Sequence, residues 1–576
     1  MIVTLIQSCS GSLVNSGVDW WGFDFHNTCE NSAPWKERRE EMMLQPIIAE
    51  VVTLGDLLVR AATNEPDRDA LVLPGQRASY RSLREGAINV ARSLRVLGVR
   101  SGHHVGILIP NCIEYAETLF GIALLGAVAV PMNARHKAAE IGYIIDNAGL
   151  FVVITSRHAD DPVDFSILLD EALTERSPKS LRQVVLARGD EAEGSIGAAA
   201  FKALADACPV SDIERERRKV RVRDPALIIY TSGTTAQPKG CVLSHEAVTR
   251  GPVERARFRL SVGSRDVTWG AGPLFHIGTL APFIGSVGVA GTFLTDTYFE
   301  PGRALQLMYD EGVTLAWPWF AAITQGLIGH PAFDPTHLET LRHLFIIAPP
   351  SLVDEVQRVL PQTEVIQACG MTETAGIFAL CGEEEDFNSR SNTQGKPSPG
   401  VEIRIVDPET GVDLPDGTLG EILVRGYNVM EGYWAAPEKT AETLTADGWL
   451  RTGDLYTRLA SGSLVFGGRC KDMLKVGGEN VAAIEVEAFL CTHPAVKTAE
   501  VVGRPDSRLD EVPVAFIELY DGYEAEAGDL IAHCRGRIAN YKVPRAIHFM
   551  EQDDWPMSAT KIDKRALRDR LKDMEE

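Results

Sequence analysis

Alternating helical and β-branched segments, a loop rich in glycine, hydroxyls and lysine, and a length beyond a single core predict an α/β protein built on doubly wound sheets. The alternation comes first. Leu83, Ala87, Val90, Ala91, Leu94 and Leu97 recur at helical spacing, and Gly98 supplies a stop. Val105 to Ile109 is a β-branched run ended by Pro110. A second apolar helix from Glu114 to about Leu125, a strand Ala127 to Val130, a helix near Ala138 to Asn147 and a strand Leu150 to Thr155 continue the pattern. Such alternation implies right-handed crossovers and a mostly parallel sheet. With 576 residues, 45% apolar and 24% charged, the chain is globular and needs at least two domains.

The loop is Tyr230-Thr231-Ser232-Gly233-Thr234-Thr235-Ala236-Gln237-Pro238-Lys239-Gly240, set between the apolar runs Ala226 to Ile229 and Cys241 to Leu243. It reads as strand, phosphate loop, strand. Glycine lets backbone N–H groups approach an anion, hydroxyls donate in any rotamer, and Lys239 adds a point charge. A Walker A loop would place Gly before the lysine, Ser or Thr after it, and a helix next. Here Pro238 precedes, Gly240 follows and a β-type run comes next, so a P-loop kinase or ATPase is disfavoured. A Ser/Thr-rich hairpin turn is the plainer alternative.

Composition narrows the partners. A formal charge of −22 argues against nucleic acid or an anionic membrane surface. Ten cysteines without a Cys-x-x-Cys pair give neither a zinc set nor a disulfide framework and suit a reducing compartment. The opening Met1 to Gln7 lacks the basic start of a signal peptide, and the longest apolar run, about Leu119 to Met132, is short of a membrane span. A cytoplasmic protein is expected.

Tyr230 to Gly240 resembles the signature of the adenylate-forming superfamily, which includes acyl-CoA synthetases, luciferases and peptide-synthetase adenylation domains. The likeness runs in register from about Thr53 to Leu571. It implies a large domain of doubly wound sheets with a small β-barrel (51–470), hinged to a small mobile α+β domain (471–576). Residues 1–50 show no period and are expected to form a poorly ordered extension, to which no function is given. By the same resemblance Thr231, Ser232, Gly233, Thr234, Thr235 and Lys239 hold the ATP phosphates.

In Pro273 to Gly278 a histidine beside Phe275 is by itself more often structural; the resemblance makes His276 a lining residue of the acyl pocket. Leu344 to Pro350 is a strand entering a loop, and the resemblance places Ala348 and Pro349 against adenine, with Ile346-Ile347 where the family carries glycines. Ile366 to Thr374 puts Thr372 and Glu373 at the C-terminal edge of a strand, where open α/β sheets hold ligands, although a capped helix start is equally good locally. The family's counterparts put Thr372 on the α-phosphate, Glu373 on Mg²⁺, and Ala368, Cys369, Gly370 and Met371 beside adenine. The usual aromatic is absent at Cys369, so weaker stacking is expected.

Asp454, in the Gly-bounded turn Gly448 to Leu455, can accept from a ribose diol or form an Asx-turn; the resemblance favours ribose. Phe466 to Met473 reads as an exposed linker. The resemblance makes Arg469 a nucleotide contact, Lys471 the hinge, and Gly477 and Gly478 the wall of the CoA tunnel. In the tail, Lys561 matches the catalytic lysine, with Thr560 in place of the usual glycine, while Lys564 and Arg565 read as a solvated face and Lys564 as a remote second candidate.

The expected activity is therefore an acyl-CoA ligase using ATP, Mg²⁺ and coenzyme A on a small carboxylic acid. The general look resembles fatty acyl-CoA and crotonobetaine/carnitine-CoA ligases. A homodimer is an open alternative to a monomer. An enzyme loading a separate carrier protein and a non-catalytic nucleotide-binding descendant are the rival readings.

Overall fold

A computed structural model describes residues 51–576 except 134, 160, 177, 192–193, 232–237, 383–384, 477–478, 507, 559–560 and 575–576, with the main chain alone at 175, 475, 479, 480, 510, 558 and 561. The extension expected at 1–50 lies outside the described residues. The elements that carry the argument are, in chain order, strands β1 (Pro225–Thr231) and β2 (Lys239–Ser244), helices α1 (His245–Glu254) and α2 (Ile277–Gly288), strands β3 (Leu315–Phe320), β4 (His343–Ile347), β5 (Ala368–Met371), β6 (Gly376–Leu380), β7 (Gly432–Tyr433), β8 (Leu450–Arg458) and β9 (Leu464–Arg469), and the last helix α3 (Lys564–Asp573).

Two large sheets form as the alternation predicts. One runs β7, β2, β1, then Val128–Pro131, His104–Leu108, Val152–Ser156, Gln183–Arg188 and Ser195–Ile196; only the pairings of β2 with β1 and β7 are antiparallel. The other runs Glu364–Ile366, β4, β3, Val267–Gly270, Thr292–Leu294, Asp69–Leu73 and Gln76–Ser79, parallel but for its terminal hairpin. Between them lies a helical layer. The helix Tyr80–Val96 is capped by Ser79, whose hydroxyl accepts from Ser82 N, and buries Leu83, Ala87, Ala91 and Leu94. It approaches the helix Ile113–Leu124 so closely that a Cβ on Gly121 would stand 2.9 Å from the Ala87 carbonyl oxygen. Phe120, Phe283 and Phe293 form an aromatic series, 6.0 and 5.2 Å between ring centres, that joins this layer to α2 and the second sheet. Each such fully buried ring contributes roughly 1.5–3 kcal/mol.

A third, β-rich segment folds as an antiparallel sheet (Val401–Val406, Leu419–Gly426, β8, β9) packed on the hairpin β5–β6 through Cys369, Phe378, Ile405, Ile422 and Tyr456. Gly432–Tyr433 leaves that segment and pairs with β2 at the edge of the first large sheet, Tyr433 opposite Cys241. Beyond it, Glu479–Ala482, Met473–Val476, Asp510–Leu519 and Val496–Asp506 make an antiparallel sheet, with Ala546–Phe549 added in parallel, over a core of Val481, Val486, Leu490, Val501 and Ile517.

Candidate functional site

β1 and β2 form the predicted hairpin, with Thr231 opposite Lys239 at its mouth. Ser232, Gly233, Thr234 and Thr235 lie outside the described residues. Gly240 is required after the lysine, because a Cβ there would meet Ile228 Cγ2 at 2.8 Å and the Tyr230 ring at 3.0 Å. The Lys239 ammonium stands 5.0 Å from the centre of the Tyr433 ring, and the Tyr433 hydroxyl donates to Glu373 Oε1 at 2.8 Å. Burial, reinforced by that carboxylate, pushes the hydroxyl well above its ordinary range, so it remains a donor. The β2–β7 pairing thus fastens the Thr372–Glu373 turn to the phosphate hairpin. Nothing in the spacing of Tyr433 revealed this, and its pairing partner is remote in sequence.

The turn itself is tightly determined. Thr372–Thr374 is a single 3₁₀ turn. Thr374 Oγ1 accepts from Met371 N at 3.2 Å and donates to Gly376 O at 2.7 Å, and Ala375 takes a left-handed φ of 50°. A Cβ on Gly370 would come within 2.4 Å of Gly376 O, so only glycine fits. Thr372 is half-buried and Glu373 is 8% exposed, its main-chain oxygen accepting from Met430 N at 2.9 Å. Ala368 and Cys369 are buried, Met371 is half-buried and Gly370 is exposed. The Cys369 thiol sits in the core beside Tyr456 and is pushed up by burial.

Asp454 and Arg469 face each other across β8 and β9, with Nε 3.1 Å from Oδ1. Thr452 Oγ1 accepts from Asp454 N and Glu421 Oε1 from Gly453 N, both at 3.1 Å. Gly453 has φ +70°. The carboxylate is therefore fixed in a glycine turn beside an exposed cation. At the end of β4, Ile346 is buried, Ile347 is 45% exposed and Ala348 half-buried. Pro349 is exposed and caps the helix Pro350–Val359, so the expected loop is a single residue pair before a helix. His276 is exposed at the start of α2, where its Nδ1 accepts from Gly278 N at 3.1 Å; Gly278 O in turn accepts from Trp319 Nε1 at 2.6 Å.

At the linker, burial, followed by the neighbouring Arg469, lowers the pKa of Lys471. Asp472 accepts from Arg568 Nη2 of α3 at 2.7 Å. Gly477 and Gly478 lie outside the described residues. The main chain of Lys561 pairs with Ser558 in a two-stranded ribbon immediately before α3; its side chain is outside the described residues. Lys564 is not on a solvated face: it is ion-paired to Glu487 and lies 3.3 Å from Glu500 in a largely buried cluster, which removes it as a free amine. Among the described residues no group of three or more His, Cys, Asp or Glu could cage a metal ion. Glu373 stands as a single carboxylate with one oxygen held by Tyr433, a donor set that fits a hard cation keeping its waters and bridging phosphates.

Comparison with known proteins identifies the family. The AMP-binding enzyme profile matches residues 58–434, and the AMP-binding enzyme C-terminal domain profile matches 485–561. The chain is 33% identical over 503 residues to a feruloyl-CoA synthase of an Amycolatopsis species, covering 87% of this chain and 95% of the relative. It is 32% identical over 538 residues to the 3-[(3aS,4S,7aS)-7a-methyl-1,5-dioxo-octahydro-1H-inden-4-yl]propanoyl:CoA ligase of Mycobacterium tuberculosis, covering 91% and 100%. Among solved structures, an anthranilate CoA ligase in complex with anthranoyl-AMP superposes with a TM-score of 0.80 at 28% identity, over 92% of this chain and 99% of that one.

Proposed function

Since the chain belongs to the AMP-binding enzymes and is an ATP-dependent acyl-CoA ligase, forming acyl-AMP with release of pyrophosphate and then the CoA thioester, we propose how its residues divide that work. A carboxylate repels nucleophiles, and transfer to AMP supplies the leaving group it lacks. The β1–β2 hairpin with Lys239 holds the departing pyrophosphate, the Thr372 hydroxyl holds the α-phosphate, and Asp454 takes the ribose diol once Arg469 swings toward the phosphates. Ala348, Pro349 and Ala368 to Met371 edge the adenine. Glu373, oriented by Tyr433, would hold Mg²⁺, which offsets phosphate charge when bound. The Lys561 amine stabilises the charge that builds between the two anions during adenylation. The segment from 471 onward then turns about Lys471, withdrawing Lys561 and presenting Gly477 and Gly478 to CoA.

The observation that supports this division is the Lys239–Tyr433–Glu373 connection, in which one tyrosine faces the ammonium with its ring and holds the carboxylate with its hydroxyl. Feruloyl and dioxo-indenyl-propanoyl groups, the acyl groups in the relatives' names, set the size range in which we place the acid. We place the reaction in the cytoplasm; among the described residues no helix is long and apolar enough to cross a membrane. The test is ATP–pyrophosphate exchange with a panel of carboxylic acids, together with thioester formation from supplied acyl-AMP. Lys561→Ala should abolish exchange while thioester formation from acyl-AMP persists; equal loss of both would remove Lys561 from its role.

A further inference from the structure

We infer that Arg255 binds a second oxygen-bearing group at the far end of the acyl chain, so that the acid activated here is a dicarboxylic or oxo acid, not a plain alkanoate. The inference rests on the ligase reading and names its substrate class. Arg255 opens a π-helical turn, Arg255–Arg259, that continues α1 past Pro252. Such turns are rare and re-aim side chains at functional sites. The side chain is nine-tenths buried and forms no ion pair among the described residues, although the Tyr427 hydroxyl and the Glu254 carboxylate act on it electrostatically. Its hydrogen bond, from Nη1 to the Ile377 carbonyl, is long at 3.4 Å. The adjacent Glu254 is engaged by Arg250 Nε at 3.0 Å. Burial pulls the guanidinium down only to about 10, so the cation persists at neutral pH. An unpaired buried charge is costly and calls for an anionic or carbonyl partner.

That partner has a place. Arg255 lines a cavity of about 20 Å³ with Thr268, Ser286, Leu315 and Trp317, room for about one oxygen-sized group. Among the described residues the buried Ser286 Oγ and Trp317 Nε1 have no hydrogen-bond partner. Three residues that carry unsatisfied or weakly satisfied donors therefore line one small cavity.

The cavity also borders the helix that begins at His276. Ala281, Pro282, Gly285 and Ser286 line it from α2, whose first turn carries His276, and five to ten residues of helix separate the two, roughly 7–15 Å. Trp317 and Trp319 alternate along β3, and the Trp319 indole is bonded to Gly278 O, so one wall runs from His276 to the cavity. On the opposite side a Cβ on Gly376, just after the Thr372–Thr374 turn, would touch Ala281 and Ile277 at 3.6 and 3.7 Å. On this inference an acid whose carboxylate lies at Thr372 directs its far end along α2 toward Arg255.

Exchange should be measured with butanoate through decanoate and with their oxo and dicarboxylate counterparts. The wild type is expected to favour the best oxygenated acid over its matched alkanoate by about 100-fold or more in kcat/KM. Preference for the dicarboxylate marks an ion pair, and preference for the oxo acid a hydrogen bond. Arg255→Met should bring the ratio to within about threefold by restoring the alkanoate, with Tm unchanged or raised because a lone buried charge is gone. A wild-type preference for alkanoates, an unmoved ratio, or a folded Arg255→Met protein that loses all acids equally would overturn the inference. Should that variant fail to fold, Ser286→Ala must reduce the preference by about tenfold; no change is equally fatal. Absence of exchange with every acid would instead mark failure of the ligase reading, and the inference would fall with it.

Discussion

At the scale of single residues, one aromatic side chain is asked to do two things at once. The Tyr433 ring faces the Lys239 ammonium, and its hydroxyl holds the carboxylate of Glu373. A hydrogen bond to a charged group contributes about 1.5–3 kcal/mol, whereas a partly exposed cation–π contact contributes about 0.5–1 kcal/mol, so the hydroxyl matters more than the ring face. Tyr433→Phe should therefore lower kcat/KM for pyrophosphate exchange about tenfold, equivalent to about 1.4 kcal/mol, while Tyr433→Leu loses about a further threefold with the ring. Unchanged exchange in the phenylalanine variant would show that Glu373 is oriented by something else. Backbone strain is held by the same kind of local contact. Trp319 sits at φ 63°, a conformation that costs a bulky residue of order 1–3 kcal/mol, and its indole bond to Gly278 O fixes it beside His276.

At the scale of elements, α3 illustrates how burial converts a charged tail into structure. Asp563 caps it by accepting from Arg565 N and Ala566 N, Leu567 and Leu571 are buried, and Lys564 enters the cluster of Glu487 and Glu500, with Asp472 and Arg568 nearby. Burial, followed by Glu487, raises the Glu500 carboxyl from 4.5 to about 7. The folded state thus holds a proton over a range in which the unfolded chain has released it. The stability this group contributes is complete below about 4.5 and is lost as pH rises through about 7. Thermal melts from pH 5 to 8 should therefore fall more steeply for the wild type than for Glu500→Gln; parallel curves would mean the carboxyl titrates normally. This cluster also marks where sequence stops being informative. The hairpin β1–β2 and the alternating sheets were legible because each is fixed by neighbours in the chain. Lys564 was misread as solvated because a charge run carries no trace of the carboxylates folded over it. The pairing of β7 with β2 and the π-turn at Arg255 were invisible for a related reason: a two-residue strand and a single widened turn have no period of their own.

At the scale of the whole molecule, two half-reactions need different groups at one carbonyl, and the proposed pivot at Lys471 is where the exchange must be absorbed. Arg568 Nη2 bonds Asp472 Oδ1 at 2.7 Å and reaches the Lys471 carbonyl at 3.5 Å, which fastens the residue after the pivot to α3. If the proposed turn occurs, Asp472 would move with the small lobe and the torsion would be confined to Lys471 and its preceding bond. Loosening the tether lets the turn spread over several residues and broadens the set of orientations that the lobe samples. Adenylation by the pre-positioned site should be little affected, but the thioester step, which needs one particular orientation, should slow. Arg568→Ala is expected to reduce overall thioester turnover about three- to tenfold, with pyrophosphate exchange within about twofold of wild type. A half-exposed ion pair of this kind couples by about 1 kcal/mol. Asp472→Ala should then match Arg568→Ala, and the double variant should be no slower than either. Additive losses, or an equal fall in both half-reactions, would show that the contact serves only to hold α3 in place and would separate the pivot from the tether.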